Sequence, residues 1–209
     1  MKTKKNKNIK NILINETISD LLNEKVCIIP TDTYFALSVI ADSEYAISKL
    51  FSIKNRDADK PIPLLISSLK NIEKFCNIHN ELLLKVSNNF WPGPLTIVLP
   101  LTGTLPKILH NDSGFIGVRV PDHMFTLELI KKLNKPLTGT SANISGSPPS
   151  KDVNVIKTLF QNDVERIIDI KCGAEELSST VIKIDNNEEL TVLREGPISK
   201  DDIFKIINK

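Results

Sequence analysis

Three cationic side chains fall within seven residues of one short polar segment, which makes that segment the first candidate for binding anions. They are Lys54, Arg56 and Lys60, and an apolar run typical of a buried strand follows them. The fork of an arginine matches the oxygens of a phosphate or a carboxylate, and a lysine adds a point charge. The alternative is a solvated loop in which Asp57 and Asp59 serve as counter-ions. Spacing alone leaves both interpretations open.

A fourth cation, Arg119, lies inside a stretch of alternating residue types. Val118 and Val120 flank it, and successive side chains of a strand point to opposite faces, so Arg119 points away from both valines. A charge in the middle of a short strand lies either on an exposed face or in a cleft. Ser179 enters a later strand and Arg194 ends another; each is by itself compatible with a purely structural role.

A loop of small side chains, residues 139–150, contains the second group of polar candidates. Its first five residues, Gly139 to Asn143, nearly match the G-x-S-x-G nucleophile elbow of α/β-hydrolases, but Asn143 replaces the last glycine. No histidine follows Ser141 in the sequence, which argues against serine hydrolysis. Hydroxyl and amide side chains with available backbone N–H groups suit close approach to a polar ligand. An ordinary Ser/Gly/Pro loop is the alternative.

These candidates are distributed over alternating strands and helices. Short apolar runs predict strands at residues 26–29, 62–66 and 95–99, and alternation predicts one at 116–120. Further strands are predicted at 136–140, 166–170, 180–184 and 191–193. Apolar residues at helical spacing predict helices at 43–54, 123–133, 152–160 and after Ser199, with one or two more between 69 and 89. The elements interleave without a linker or a repeat, which is typical of one α/β domain with a mixed sheet.

The basic charge is concentrated at the start of the chain, where the first ten residues hold five lysines and no acid. Without those lysines, 22 basic residues face 25 acidic ones, a net charge of −3. A weakly acidic body is not suited to neutralising a long phosphate backbone. We expect residues 1–10 to be a basic, frayed tail and residues 11–209 to form the domain.

Length and composition agree with one globular domain. The chain has 209 residues, of which 41% are hydrophobic and 25% are charged, which excludes a disordered, collagenous or coiled-coil chain. No apolar run approaches the roughly 18 residues of a membrane span, and the start of the chain is not a secretory signal. The sequence therefore predicts a protein that does not contact membranes.

Cysteine and histidine usage predicts reduced thiols and no dedicated metal site. The cysteines, at positions 27, 76 and 172, form no C-x-x-C pair, which is typical of a cytoplasmic protein. The histidines, at positions 79, 110 and 123, lack the spacing of zinc ligands. Neither a Walker loop nor a G-x-G-x-x-G motif occurs, so a nucleotide would need an unconventional site.

Taken in order, short motifs along the chain resemble those of the YrdC/TsaC family, the threonylcarbamoyl-AMP synthases. These motifs are Pro30-Thr31-Asp32-Thr33, Lys54-Asn55-Arg56, Lys60-Pro61, Trp91-Pro92-Gly93-Pro94-Leu95-Thr96, Gly117-Val118-Arg119-Val120-Pro121, Thr140-Ser141-Ala142-Asn143, Ser179-Thr180-Val181 and Leu193-Arg194-Glu195-Gly196. The ordered set covers nearly the whole body of the chain. It is specific above all through W-P-G-P-L-T followed by S-A-N.

The resemblance implies a single α/β domain with a mixed, twisted open sheet, flanked by helices, around a central and positively lined cavity. It also implies a nucleotidyltransferase reaction in which L-threonine, bicarbonate and ATP give threonylcarbamoyl-AMP and pyrophosphate. Mg²⁺ is expected with ATP. The product is expected to feed threonylcarbamoylation of adenosine in tRNAs that read ANN codons. A separate transferase complex performs that step in the family, and direct tRNA binding is expected to be weak.

The resemblance also assigns roles to the candidate residues. The expected catalytic residues are Lys54, Arg56 and Asn143. The expected L-threonine-binding residues are Thr31, Lys60, Arg119, Gly139 and Ser179, with Arg119 taking the carboxylate. The expected ATP-binding residues are Lys54, Arg56, Ser141, Asn143 and Arg194. Fixed cations in a sheltered cleft would bring two anionic reactants together and stabilise the leaving pyrophosphate.

The segment after Thr33 departs from the family pattern P-T-[DE]-T-V-Y-G-L-G. Phe35 keeps an aromatic ring but lacks the hydroxyl, and Ala36 and Ser38 replace both glycines, which excludes a backbone that needs positive φ there. One alternative is therefore a relative that forms a different carbamoyl adenylate. A second is an RNA-binding module without catalysis, although an aromatic content of 5% offers little for base stacking.

Overall fold

The computed structural model describes residues 2–57 and 60–208, with side chains at 8–57 and 60–208. The helices are α1 (Lys2–Leu22), α2 (Glu44–Lys54), α3 (Glu81–Phe90), α4 (Met124–Leu133), α5 (Val153–Phe160) and α6 (Lys200–Ile207). The strands are β1 (Cys27–Ile29), β2 (Ala36–Ser38), β3 (Leu64–Leu65), β4 (Leu95–Pro100), β5 (Phe115–Arg119), β6 (Leu137–Thr138), β7 (Thr140–Ser141), β8 (Arg166–Ile167), β9 (Thr180–Ile184) and β10 (Leu190–Arg194). Short 3₁₀ turns lie at Leu69–Ile72 and Lys107–Leu109.

The strands form two mixed sheets, where the sequence predicts one. Within the described residues, the smaller sheet has the order β7-β2-β1-β8 and the larger has the order β10-β9-β4-β5-β3-β6. In the smaller sheet β1 is antiparallel to β2 and parallel to β8. In the larger, β4 is parallel to β9 and antiparallel to β5. The predicted class, a single α/β domain with a mixed open arrangement flanked by helices, is confirmed.

The two sheets meet at a seam formed by Val39, Thr138 and Gly139. The Thr138 N–H donates to the Val39 carbonyl at 2.9 Å, and the Val39 N–H donates to the Thr138 hydroxyl at 3.0 Å. At Gly139 the chain passes from β6 in the larger sheet to β7 in the smaller. The single strand predicted over 136–140 is therefore wrong, because the chain changes sheets inside it.

Gly139 is at a point of close approach. A Cβ atom there would lie 2.5 Å from Cγ of Leu65, and the Gly139 N–H donates to the Pro63 carbonyl at 2.8 Å. A larger residue would push the crossing chain away from β3, so glycine is needed here for lack of space.

The strand predicted over 62–66 is reduced to Leu64–Leu65. Pro61 and Pro63 have no N–H to donate to a ladder, which explains the late start. The Ile66 N–H still donates to the Arg119 carbonyl at 2.9 Å, so β3 follows β5 slightly beyond its assigned end.

Helix starts are where the sequence predicts them. The side chains of Ser43, Asp152 and Ser199 each accept a backbone N–H in the first turn of α2, α5 and α6. At the other end of α2, Asn55 adopts the left-handed conformation with φ of 50°. Asparagine tolerates this region better than most residues, as expected from its position between Lys54 and Arg56.

The N-terminal region differs from the sequence-based expectation. α1 begins at Lys2, so a frayed end is wrong for residues 2–10, and Met1 lies outside the described residues. The Lys10 Nζ atom lies 2.7 Å from the Glu128 carboxylate on α4, which ties the helix to the body. The five lysines in the first ten residues obscure α1 in the sequence, because the apolar residues of this helix follow them.

Both faces of the smaller sheet are covered by apolar residues. Ile28 of β1 packs in a large cluster with α2 and the larger sheet, whereas Cys27 and Ile29 pack in a second cluster with α1 and α4. This alternation covers the strand on both sides. The three cysteines are buried and unpaired. Among the described residues, no helix is long and apolar enough to span a membrane.

We predict that Thr138→Val destabilises the protein by about 1–3 kcal/mol, because the variant keeps the shape but leaves the buried Val39 N–H without an acceptor. Urea unfolding followed by circular dichroism measures this. Thr191→Val, at an exposed strand position, is the control and should change stability by less than about 0.5 kcal/mol. Equal midpoints for the two variants would contradict the role of the seam.

Candidate active site

A cavity of about 440 Å³ lies between the two sheets, a size typical of small-molecule sites. Its charged lining residues, among those the structure describes, are Arg56, Arg119 and Arg194. The rest of the lining is hydroxyl-bearing or apolar: Thr31, Thr33, Tyr34, Phe35, Ala36, Pro61, Pro63, Leu65, Thr96, Val98, Ser113, Phe115, Gly117, Gly139, Thr140, Ser141, Ser178, Ser179, Val181 and Leu193. The cavity is therefore positively charged and adapted to a polar anion.

Arg119 points into this cavity from β5, on the face predicted from the alternation. Its Nε donates to the Gly93 carbonyl at 3.0 Å, its Nη1 to the Thr33 hydroxyl at 3.2 Å and its Nη2 to Asp32 Oδ1 at 2.6 Å. Arginine has five N–H groups, so two remain without a protein acceptor among the described residues. The guanidinium is fixed in orientation and still able to bind an anion.

Asp32 is the buried counter-ion of Arg119, and the sequence analysis did not single it out. Its carboxylate is nearly inaccessible, at 8% exposure of the side chain. Oδ1 is taken by Arg119, whereas Oδ2 is buried and has no hydrogen-bond partner among the described residues. The only hint of its role in the sequence is the motif Pro30-Thr31-Asp32-Thr33, which indicates the family but not an ion pair with Arg119.

Arg194 reaches the same cavity from the end of β10. Its Nε and Nη2 both donate to the Ser179 carbonyl, at 3.2 and 2.7 Å, while the Ser179 hydroxyl lies 2.9 Å from that of Thr96. Burial, and then the positive charge of Arg119, lower the pKa of Arg194. Two guanidinium groups therefore repel each other across the cavity, and a bound anion would relieve this repulsion.

Arg56 is held by the segment that follows it. Its Nε donates to the Lys60 carbonyl at 3.0 Å and its Nη2 to the Pro61 carbonyl at 2.9 Å. Lys60 itself lies outside the cavity lining, and its ammonium is 2.7 Å from the Asp57 carboxylate in an exposed pair. The cationic segment is thus partly a solvated loop and partly a cavity wall. Ala58 and Asp59 lie outside the described residues.

Lys54 lies beneath the 141–143 loop and does not belong to the cavity lining. Its ammonium donates to the Ser141 carbonyl, and at 3.0 Å to both the carbonyl and the side-chain oxygen of Asn143. The side chain is buried, at 2% exposure of the residue. Burial, and then the charge of Arg56, lower the pKa of Lys54 to about 8.

Asn143 joins this loop together instead of facing the cavity. Its Oδ1 also accepts the Ser141 hydroxyl, and its Nδ2 donates to the carbonyls of Ile144 and Ser147. Ser141 does line the cavity. Lys54 and Asn143 therefore determine where Ser141 and its backbone lie.

Thr31 lines the cavity, but its hydroxyl is occupied within a turn. It donates to the Tyr34 carbonyl at 2.7 Å and accepts the Thr33 N–H at 3.1 Å. Its hydroxyl contributes to the shape of the wall through this turn. Two of the three departures from the family pattern, Phe35 and Ala36, also line the cavity, whereas Ser38 does not.

Most of the predicted site residues come together. Those in the lining are Thr31, Arg56, Arg119, Gly139, Ser141, Ser179 and Arg194, and those outside it are Lys54, Lys60 and Asn143. The apolar part of the wall, which includes Val98, Phe115 and Leu193, was not predicted. Such residues are indistinguishable from core positions in a sequence.

No group of three or more His, Cys, Asp or Glu side chains within residues 2–57 and 60–208 could hold a metal ion. The cavity lining contains no carboxylate among these residues, and Asp32 is committed to Arg119.

Residues 19–196 match the Sua5/YciO/YrdC family, described as "Telomere recombination". The chain belongs to this family. It is 38% identical to a Methanocaldococcus jannaschii protein over 185 residues, which cover 87% of this chain and 85% of the relative. A Pseudoalteromonas atlantica relative named threonylcarbamoyl-AMP synthase is 34% identical over 164 residues, covering 78% of this chain and 87% of that protein.

A solved structure of Pyrococcus abyssi Sua5 complexed with L-threonine has the same fold. It superimposes with a TM-score of 0.87 at 32% sequence identity. The match covers 93% of this chain and 57% of that longer protein.

We predict that the buried ammonium of Lys54 makes stability depend on alkaline pH. Between pH 8 and 10.5 the unfolded chain keeps a proton that the folded protein has lost. The free energy of unfolding of the wild type should therefore rise with pH relative to that of Lys54→Met, by up to about 3 kcal/mol.

Urea unfolding at several pH values measures this difference. Lys205→Met, at an exposed lysine on α6, controls for the loss of one charge. If the difference in unfolding free energy between the wild type and Lys54→Met stays constant from pH 8 to 10.5, Lys54 is not a buried ammonium that titrates in this range.

Proposed function

We propose that this protein is a threonylcarbamoyl-AMP synthase, which makes threonylcarbamoyl-AMP and pyrophosphate from L-threonine, bicarbonate and ATP. The observation that carries the proposal is the presence of Arg56, Arg119 and Arg194 in one cavity lined by hydroxyl groups. The names of the relatives and the L-threonine complex of the P. abyssi protein support it.

The reaction joins anions, which is the difficulty that the cavity addresses. Bicarbonate takes up a proton and loses water, and the threonine nitrogen bonds to the resulting CO₂ with loss of a proton to give a carbamate. A carbamate oxygen then bonds to the α-phosphorus of ATP. The bond to the bridging oxygen breaks, and pyrophosphate leaves with that electron pair. Fixed guanidinium groups stabilise both the approach and the leaving charge.

Arg119 is proposed to bind the threonine carboxylate. It has two N–H groups left and its orientation is fixed by Asp32, Thr33 and Gly93, so little ordering is needed on binding. Ser179 and the turn at Thr31 would form the neighbouring wall, which the backbone of Gly139 would complete. Lys60 would act through its carbonyl, which holds Arg56.

The nucleotide is proposed to lie along Arg56, Ser141 and Arg194. Lys54 and Asn143 keep their place in the catalytic machinery as positioning residues, because they hold the loop that carries Ser141. Mg²⁺ would enter with ATP as part of the substrate. The product would pass in the cytoplasm to a separate transferase complex that modifies tRNAs reading ANN codons.

We predict that the purified protein releases pyrophosphate from ATP only when L-threonine and bicarbonate are both present. A coupled pyrophosphate assay measures this, with omission of each reactant as its control. Release without threonine would overturn the proposal. Release with a different amino acid in preference to threonine would favour another carbamoyl adenylate, a choice in which the Phe35 wall would take part. A salt-sensitive RNA shift without ATP turnover would favour the RNA-binding alternative.

We predict that Arg119→Lys raises the KM for L-threonine about 10- to 100-fold with a smaller effect on the KM for ATP. Lysine cannot offer the paired N–H groups, and bonds to charged groups are worth about 1.5–3 kcal/mol. Arg166→Lys, at an arginine paired with Glu16 and Asp20 away from the cavity, is the control. An unchanged threonine dependence would remove Arg119 from the threonine pocket.

A further inference from the structure

A five-residue segment, 174–178, lies between two fixed ends, and its last residue, Ser178, lines the cavity. At one end the Gly173 N–H donates to the Thr31 carbonyl at 2.9 Å. A Cβ atom at Gly173 would lie 2.3 Å from the Asp32 carbonyl oxygen, so the chain is pressed against this turn. At the other end the Thr180 N–H donates to the Pro94 carbonyl at 2.9 Å. Between these ends the described backbone is neither helix nor strand.

The middle of this segment is fastened to the body by two side chains. The Tyr34 hydroxyl donates to the Glu176 carbonyl. The Lys151 Nζ lies 3.2 Å from Glu176 Oε1 and 5.6 Å from the centre of the Tyr34 ring. Tyr34 is itself fixed, because its carbonyl accepts the Thr31 hydroxyl. The three side chains link the 31–36 turn, the loop before α5 and the segment.

These fastenings are weak enough to open. The Glu176 side chain is 87% exposed, and exposed ion pairs contribute little to stability. The hydrogen bond from the Tyr34 hydroxyl to the Glu176 carbonyl is therefore the main interaction that holds the middle of the segment. Segments with few buried contacts open locally at low cost while the remaining fold stays intact.

We propose that Tyr34 and Lys151 are positioning residues that latch segment 174–178 over the cavity. The latch holds Ser178 and Ser179 against the bound amino acid and opens to exchange ligands. This inference rests on the proposed function and adds a gate to it. The closed latch keeps water from the mixed anhydride of the product, which water would otherwise cleave to AMP, threonine and CO₂.

Tyr34→Phe tests the latch, because it removes the hydroxyl and keeps the ring. We expect a glutamate-specific protease to cleave after Glu175 or Glu176 about fivefold faster, with fragments identified by mass spectrometry. Fivefold corresponds to about 1 kcal/mol. Lys151→Met should give a smaller acceleration, of about twofold. Tyr45→Phe, at a tyrosine that is 67% exposed on α2, is the control and should cleave at the wild-type rate.

A second readout follows the chemistry with enzyme in excess over ATP. The amount of AMP formed per pyrophosphate released should rise about fivefold in Tyr34→Phe, because water reaches the anhydride whenever the latch is open. Equal cleavage rates in wild type and Tyr34→Phe would overturn the latch. If the wild type releases no threonine-dependent pyrophosphate, the proposed function fails, and the cleavage rates still decide whether the latch exists.

Discussion

The seam between the two sheets is the constraint on which the cavity depends. Val39 and Thr138 exchange two hydrogen bonds there, and Gly139 passes so close to Leu65 that no side chain fits between them. Away from this line the sheets carry lining residues on their facing surfaces. A tight contact at one edge thus sets the separation of the walls elsewhere, since packed interiors transmit small displacements.

Main-chain carbonyls orient much of the positive charge in this cavity. Ser179 supplies the acceptor for Arg194, and Lys60 and Pro61 supply acceptors for Arg56. A carbonyl fixes the direction of the Arg194 guanidinium without cancelling its charge, and burial, followed by the charge of Arg119, lowers the pKa of Arg194. Arg119 is held differently, because Asp32 balances its charge. The binding free energy of an anion at Arg119 therefore comes mainly from the geometry of the paired N–H groups. At Arg194 the positive charge of the guanidinium contributes as well.

The sequence predicted features that depend on local spacing and missed those that depend on how distant segments meet. The face of Arg119 followed from strand alternation, and the helix starts followed from Ser43, Asp152 and Ser199. The direction of Lys54 could not be predicted, because it ends a helix and its partners lie 87 and 89 residues away. The division into two sheets was missed for a similar reason, because the change of strand partners at Gly139 depends on segments that are distant in the sequence.

Burying the Lys54 ammonium costs desolvation free energy, which its hydrogen-bond partners offset. An ammonium removed from water is stable only if its donors are satisfied, and here oxygens of Ser141 and Asn143 satisfy them. The same three oxygens converge only when the loop is folded tightly, so the charge and the loop conformation stabilise each other. Ser141, at the end of β7, is consequently held in place at the cavity by Lys54 and Asn143. Its donors and acceptors are in place before any ligand arrives, which reduces the ordering that binding would require.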